Sequence, residues 1–401
     1  MCSFSILLKG YYFRDDHLLD CMNKREENRI LLTSDYLPPS DGGVEQVVQK
    51  LALHLVDEGF TVGIFTLDDG SRDFELEDVP DISFYTASAL DLTDTIGLQS
   101  MFSVSALREF RNVLREFQPD IVHAHNRFFY TSVLAALYSI RADYKLVTTL
   151  HLGDIGMISG LGGVAAKTFE QTVSQFVISR SEQVICVSAA AEPIAQSLGA
   201  KRTAVVRNAV DINEFSPSQT NGKSLLYIGR FVHNNGIQDL LTALPLILDS
   251  HPDAEIHLVG SGPLGDKVRK SIQSSGLSES VTIYDYVDDI SEMYDLASVL
   301  CRPSYSEGLP LTMLEAMASG VPPVVTAIAG VPEVVTDHET GILLEPGNPD
   351  EVAQAIIELF DDAELRTRLS KNARDYITEN LTWEQRTDKV IRIYSQVVTT
   401  D

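Results

Sequence analysis

Cysteine is sparse in this chain, and its few cysteines show no pairing. Cys2, Cys21, Cys186 and Cys301 share no paired spacing, and the last two sit in apolar runs, VICVS and VLCRPS. In such runs a thiol behaves as a small core hydrophobe, so no disulfide framework is indicated and a reducing cytoplasm fits. Long hydrophobic runs are missing too. None approaches the ~20 residues that span a bilayer, and no charged N-terminal segment leads into a long apolar core, so nothing points to export. Positive charge is short: Lys and Arg number 31 against 57 Asp and Glu, a net charge of -26. That excess disfavours nonspecific binding to nucleic acid or to an anionic membrane surface and leaves at most a peripheral membrane contact. Any phosphate site must therefore be local. Arg outnumbers Lys within the basic minority, and an acidic surface of this kind suits high salt, where screening shortens the range of self-repulsion. A melting temperature that rises between low and molar salt is the signature of that adaptation; one that does not rise rules it out.

What is present is a long alternation of strand and helix. At 401 residues, 44% of them hydrophobic, the chain has room for two domains with a cleft between them. Residues 1–28 fit no clean helix or strand period and read as an N-terminal extension without regular structure. From Arg29 the order is RILLTS, EQVVQKLALHLVDEG, TVGIFTL, a helix from Leu107 to Phe117, DIVHAH, KLVTTLH and QVICVS. Such alternation specifies a parallel sheet covered on both faces. Residues 207–223, rich in Asn, Ser, Pro and Gly, read as a linker. The pattern then restarts with LLYIGR and runs through EIHLVG, VTIYDY, VLCRPS and PPVVT to residue 380. The expected fold is α/β, with two Rossmann-like doubly wound domains, 29–206 and 224–380, facing a central cleft. Residues 381–401 read as a helix with Thr382 as its N-cap and Val390, Ile391, Ile393, Tyr394 and Val397 on its buried face, crossing back to the first domain.

The densest chemistry lies in SYSEGLPLTMLEAMASGVPPVV, Ser304 to Val325. Pro310 fixes φ and lacks an N–H that the first helical turn does not need, so a helix is expected to begin there with the amides of Leu311 and Thr312 pointing outward. That is an anion seat. Glu307 stands before it and Glu315 follows within the helix, each able to grip hydroxyl groups of a ligand whose phosphates rest on the helix N-terminus. A sugar nucleotide has that shape.

Other segments carry weaker signals. Gly42 and Gly43, in YLPPSDGGVEQ, precede a helix where the absence of Cβ lets backbone approach a bound group, although a Gly pair is also an ordinary turn. Arg230, in GRFVHNNG, and His151, in TTLHLGD, each end a strand on the side where open α/β sheets bind ligands; a surface ion pair and a structural histidine are the plainer readings. His123 and His125 alternate in DIVHAHN; a split, one toward the cleft and one toward the packed side, is one arrangement, and their roles stay open. Gly260, Gly262 and Gly265 spell G-x-G-x-x-G with Asp285 at the next strand's end, as in a dinucleotide fold. Against that, the unit is not the first of its domain and Pro263 removes a donor, so a tight turn beside a nucleotide's base or ribose is the reading adopted. Arg108, Arg111 and Arg115 form a stripe that could touch a membrane but, diluted by Glu109 and Glu116, reads as a solvated face. The acidic pairs Asp68-Asp69 and Asp288-Asp289 lack the supporting ligands of a magnesium site, and no metal is expected.

Taken together, the chain from Ile30 to about Val397 resembles the retaining glycosyltransferases of GT-B architecture, family 4. The most specific element is the E-x7-E pair of Glu307 and Glu315, followed by AGVPEVVTDHETGILLEPGNPDEVAQAI; DYLPPSDGGVE, PDIVHAHN, TTLH, ICVS, RNAVD, YIGR, LVGSGPL and TWE support it in order. The resemblance implies a metal-independent hexosyltransferase that uses a UDP-sugar or GDP-sugar and a hydroxyl acceptor, whether a glycan, a lipid-linked sugar or a small molecule, with no further cofactor. It implies that Glu315 holds the ribose, Glu307 sits by the donor sugar and Arg230 meets the diphosphate. The amides of Gly308, Leu311 and Thr312 cradle that diphosphate, backbone near Val287 and the Gly262 turn lie by the base or ribose, and Gly43 lies against the donor. His151 stands near the reacting sugar, the first domain takes the acceptor, and loops such as 153–166 shape its site.

One departure stands out: where the family pattern sets a lysine before Gly236, this chain has Asn235. Loss of a charge-assisted hydrogen bond is worth ~1.5 to 3 kcal/mol. Arg302 or Lys223 could substitute. A catalytically weak paralogue that binds a nucleotide sugar or serves as a partner subunit shares every motif, and a sugar-nucleotide epimerase is a further alternative.

Overall fold

The strands that build the interior are short, mostly apolar runs: IVHAH and SLLYI are buried end to end, and RILLT is buried after its first residue. Strands that read this way are covered on both faces, which is the condition of a parallel sheet in an α/β protein. The structure, a computed structural model, describes residues 28–38, 42–70, 79, 81–91, 101–151, 161–218, 220 and 222–399. The expectations for residues 1–27 and for residues 153–160 of the expected loop 153–166 lie outside these residues; residues 161–166 open a helix instead of continuing the loop.

The first sheet comprises β1 (Arg29–Thr33), β2 (Thr61–Asp68), β3 (Ile82–Ser88), β6 (Ile121–His125), β7 (Lys145–Leu150), β8 (Gln183–Cys186) and β9 (Thr203–Val205). It is seven-stranded and parallel in the order β3-β2-β1-β6-β7-β8-β9. A small antiparallel pair, β4 (Leu90–Asp91) and β5 (Met101–Phe102), stands apart. The second sheet comprises β10 (Ser224–Ile228), β11 (Glu255–Val259), β12 (Val281–Tyr284), β13 (Val299–Arg302), β14 (Pro323–Thr326) and β15 (Ile342–Leu344). It is parallel in the order β12-β11-β10-β13-β14-β15. In both sheets the chain starts in the middle, walks to one edge, then returns to fill the other side. The order therefore reverses beside β1 and β6, and again beside β10 and β13, and those switch points open at the carboxyl ends of the strands.

Helices cover both sheets. In the first domain α1 (Gly43–Asp57), α2 (Ala106–Phe117), α3 (Tyr130–Tyr138), α4 (Leu161–Arg180) and α5 (Glu192–Ser197) follow its strands. The second has α6 (Ile237–Ser250), α7 (Gly265–Ser274), α8 (Ile290–Leu296), α9 (Leu311–Ala318), α10 (Pro349–Asp361) and α11 (Ala363–Asn380). The last helix, α12 (Trp383–Thr399), buries Val390, Ile391, Ile393, Tyr394 and Val397 in one cluster with Val47, Val48 and Leu51 of α1. It begins with a capping box: Thr382 Oγ1 accepts from the Gln385 amide and Gln385 Oε1 accepts from the Thr382 amide, both at 3.4 Å. The arginine stripe of α2 is solvent-facing, while Phe110 and Phe117 enter the core. Cys186 and Cys301 are buried free thiols.

At two points the domains touch without room for a side chain. A Cβ on Gly308 would stand closer to the His151 carbonyl oxygen than the 3.0 Å that real side chains keep, and one on Gly330 would clash with Ser188 in the same way. Glu333 of the second domain binds both the Ala190 amide at 3.1 Å and Arg207 Nη2 at 2.8 Å. Asn208 Nδ2 donates to the Leu309 carbonyl at 2.8 Å, so the segment after β9 is tied to the loop that carries Glu307.

Candidate active-site cleft

Strand β13 delivers the chain to the loop Pro303–Pro310, and that loop turns into α9. Pro310 is the N-cap residue, at φ -69° and ψ 128°, and the Leu314 amide is the first to donate into the helix, to the Pro310 carbonyl at 3.4 Å. The amides of Leu311 and Thr312 therefore precede the helical ladder, as the sequence suggests, with the helix itself starting at Leu311 rather than Pro310. The Thr312 hydroxyl oxygen beside them is buried and has no partner among the described residues.

The two acids flank this end. Glu307 is held through one oxygen: Oε1 accepts from Arg302 Nε at 2.9 Å, from Arg302 Nη2 at 2.5 Å and from Ser304 Oγ at 2.9 Å. Glu315 is buried one turn into α9, where Oε2 accepts from the Tyr294 hydroxyl at 2.8 Å. Burial pushes the Glu315 carboxyl up to about 6, against the opposing pull of that tyrosine bond.

On the β10 side, Arg230 is exposed and its guanidinium forms no ion pair with a described residue. Asn235 turns its side-chain amide back on the Arg230 carbonyl at 3.0 Å. The glycine turn after β11 packs against this loop: a Cβ on Gly260 would collide with the Gly229 carbonyl, and one on Gly262 would stand 3.0 Å from the Phe231 carbonyl oxygen. Close backbone packing accounts for these two glycines. Asp285, the acid of the dinucleotide reading, is exposed and paired with Arg269 at 2.5 Å. Val287 lies half-buried on the loop after β12.

Across the cleft, Gly43 opens α1 with Leu311 of α9 3.4 Å from its Cβ position. At Gly42 a Cβ would meet only the carboxylate end of the Glu45 side chain. Below lies a buried histidine cluster. His123 and His125 do not split across the sheet; their rings stand 4.4 Å apart on one face, because residues two apart in a strand point the same way. His125 Nδ1 lies 3.0 Å from His151 Nε2, and His123 bridges the Tyr394 hydroxyl at 2.6 Å and Thr149 Oγ1 at 2.7 Å. Burial, with the Arg386 charge behind it, lowers His123 to about 3, and burial lowers His125 and His151 well below the usual imidazole value. All three are neutral at ordinary pH.

The structure thus brings Glu307 and Glu315 to the start of α9, sets Gly43 against Leu311 and the His151 backbone against Gly308 from the first domain, and leaves Arg230 exposed on the loop after β10. Sequence reasoning overlooked Tyr294, Ser304 and Asn208, whose partners are set by the fold and carry no motif. Lys223 drops out, since it precedes β10 at the far end of the sheet and pairs with Asp253 at 3.3 Å. Asp289 is used as the N-cap of α8, and Asp68 accepts from the Gly70 amide at 2.7 Å. Among the described residues no group of three or more His, Cys, Asp or Glu is arranged to hold a metal ion, and no helix is long and apolar enough to cross a membrane.

Two family models cover most of the chain: Glycosyltransferase Family 4 matches residues 41–214 and Glycosyl transferases group 1 matches residues 211–376. An uncharacterised glycosyltransferase of Methanocaldococcus jannaschii is 25% identical over 384 residues, spanning 91% of this chain and 97% of the relative. N-acetyl-alpha-D-glucosaminyl L-malate synthase of Bacillus anthracis is 25% identical over 378 residues, 90% of this chain and 96% of the relative. In structure, sucrose-phosphate synthase from Thermosynechococcus elongatus matches with a TM-score of 0.80 at 21% identity, over 94% of this chain and 100% of that one. Anabaena HepE in complex with UDP and glucose matches with a TM-score of 0.77 at 20% identity, over 92% and 100%. The chain belongs to the group 1 glycosyltransferases of GT-B fold, and its chemistry is sugar transfer.

Proposed function

We propose that this protein transfers a hexose from a nucleoside diphosphate sugar to a hydroxyl acceptor, with retention at the anomeric carbon and without a metal ion. The observation that carries the reading is the pair Glu307 and Glu315 on either side of the open amides of Leu311 and Thr312, with Gly43 and His151 facing them from the other domain. Glu315 holds the ribose hydroxyls. Glu307, engaged through Oε1 alone in the bonds above, offers Oε2 to the donor sugar. Arg230 and the α9 amides meet the charge that grows on the departing diphosphate, a preorganised electrostatic arrangement that requires no side-chain nucleophile. The Gly262 turn and the backbone near Val287 border the base. The acceptor, a glycan, a lipid-linked sugar or a small molecule, binds from the first domain beside His151. The 207–223 linker is the hinge on which the domains close and exclude water.

The donor is a UDP-sugar or a GDP-sugar; HepE was solved with UDP, so uridine donors come first in the assay. The test is a panel of nucleotide sugars with hydroxyl acceptors, read by release of nucleoside diphosphate and by mass and anomeric configuration of the product, with and without EDTA. Transfer with retention, insensitive to EDTA and lost in Glu307→Ala, supports the reading. Inversion, or activity abolished by EDTA and restored by a divalent ion, overturns it. Asn235 favours a second reading, a nucleotide-sugar-binding paralogue of low activity, for which donor binds and is at most hydrolysed, with no transfer to any acceptor. Isomerised donor without acceptor would instead indicate an epimerase.

A further inference from the structure

The second domain keeps a charged side chain inside its switch point that the reading above leaves unused. Among the described residues the buried cations are Arg127, Arg302 and Arg386, and only Arg302 belongs to the second sheet. It ends β13, the strand paired with β10 where the strand order reverses. Its head is fixed by Glu307 Oε1 and by the Ile228 carbonyl, the latter 2.5 Å from Nη1. Those bonds leave part of the guanidinium's donor fork open. The same Nη1 lies 2.6 Å from the Cβ position of Gly229, and Asn235 Nδ2 lies 3.3 Å from that point. Arg302 thus fills the neighbourhood into which a lysine at 235 would reach. Two cations crowded there would repel, and a neutral asparagine at 235 avoids the conflict.

We propose that Arg302 is the second cation of the diphosphate site, so that the charge comes from β13 rather than from the loop after β10. This rests on the sugar-nucleotide reading. In the transfer, the bond between the anomeric carbon and the β-phosphate oxygen breaks and its electron pair stays on that oxygen. The acceptor oxygen bonds to the anomeric carbon, and the acceptor proton passes to the departing phosphate. One edge of Arg302 stabilises the phosphate charge, and the other holds Glu307 against the sugar. Between substrates Glu307 keeps the buried guanidinium paired, which a lone buried charge could not sustain.

Calorimetric binding of UDP against UMP, and of GDP against GMP, to the full chain separates this role from simple support of Glu307. Arg302→Met is expected to weaken the diphosphate by ~10- to 100-fold and the monophosphate by less than about threefold, since one charge-assisted bond is lost at the outer phosphate. Arg302→Lys recovers part of the loss. Asn235→Lys brings no gain while Arg302 is present, yet restores diphosphate affinity and kcat in the Arg302→Met background. Equal losses on mono- and diphosphate, or none, overturn the proposal. So does a gain of about tenfold or more from Asn235→Lys alone, which would mean that the site lacked a cation. If Arg302→Met does not fold, as judged by its melting curve, Arg302→Lys and Asn235→Lys decide on the same criteria. A wild type that binds none of the four nucleotides removes the sugar-nucleotide reading itself, before any variant is compared.

Discussion

A Cβ on Gly308 would overlap the carbonyl oxygen of His151, so at this point the domains meet backbone to backbone. The neighbour is not the flexible end of a side chain and cannot turn aside. Gly308→Ala must open the cleft or strain it by about 1 to 3 kcal/mol. We expect a large loss of transfer activity with little change in melting temperature, because each domain keeps its own core. Small-angle scattering is the check, with a larger radius of gyration in the variant; full activity with an unchanged radius would show that this closed contact is not needed for turnover.

Glu315 links nucleotide binding to pH. Burial raises its carboxyl from 4.5 to about 6. The empty fold therefore favours the protonated acid, and the stability that follows is complete below about 4.5 and lost as pH rises through about 6. Binding of ribose hydroxyls by the carboxylate runs the other way, strengthening through the same window. Glu315→Gln keeps the shape without the charge. It is expected to raise stability at pH 7.5 by about 2 kcal/mol while weakening nucleotide by about tenfold or more. Denaturant midpoints and nucleotide titrations at pH 5 and 7.5 test both signs; a variant less stable than wild type at pH 7.5 would refute the assignment.

The histidine cluster makes the opposite contribution. His123 is held near 3 by burial and by Arg386, while an exposed imidazole has 6.5. The unfolded chain takes up a proton that the native site refuses, so the stabilisation is full above about 6.5 and drains away as pH falls toward 3. His123→Gln keeps a polar side chain beside Tyr394 and Thr149 but cannot titrate. Between pH 6 and 5 its stability is expected to fall less steeply than that of wild type, by up to ~1.4 kcal/mol per pH unit. Comparing the two proteins cancels the carboxyl groups of Glu315 and Asp35, which shift in the same range. The kcat profile should show no limb near 6.5 from these residues.

Much of this site was legible because its parts are local. Strands buried on both faces read as unbroken apolar runs, Pro310 marks a helix start by what its ring forbids, and the spacing of Glu307 and Glu315 places them on either side of that start. The pairing of Tyr294 with Glu315 joins α8 to α9, and no local pattern announces it. Arg302 and Glu307 are five residues apart, yet only the turn between strand and loop brings them together. The shared face of His123 and His125 was available from strand period alone, and the split arrangement overlooked it. Gly308 carries no local sign of its constraint, because its partner His151 lies in the other domain.

The G-x-G-x-x-G of the second domain makes a last, discriminating case. If it bound pyrophosphate, its glycines would be constrained by a ligand; here they are unequally constrained by protein. Gly260 has φ +144° and its Cβ would collide with the Gly229 carbonyl, whereas the Cβ position of Gly265, the first residue of α7, has nothing within 4 Å. Gly260→Ala is therefore expected to cost about 1 to 3 kcal/mol and to displace the loop that bears Arg230, weakening UDP or GDP binding. Gly265→Ala should be neutral or stabilising by up to about 1 kcal/mol, since alanine loses less backbone freedom in a helix. Melting curves and nucleotide titrations of the two variants give the answer. A Gly265→Ala protein that folds normally but loses nucleotide affinity would overturn this account of the turn, because only a ligand could then be what the missing side chain makes room for.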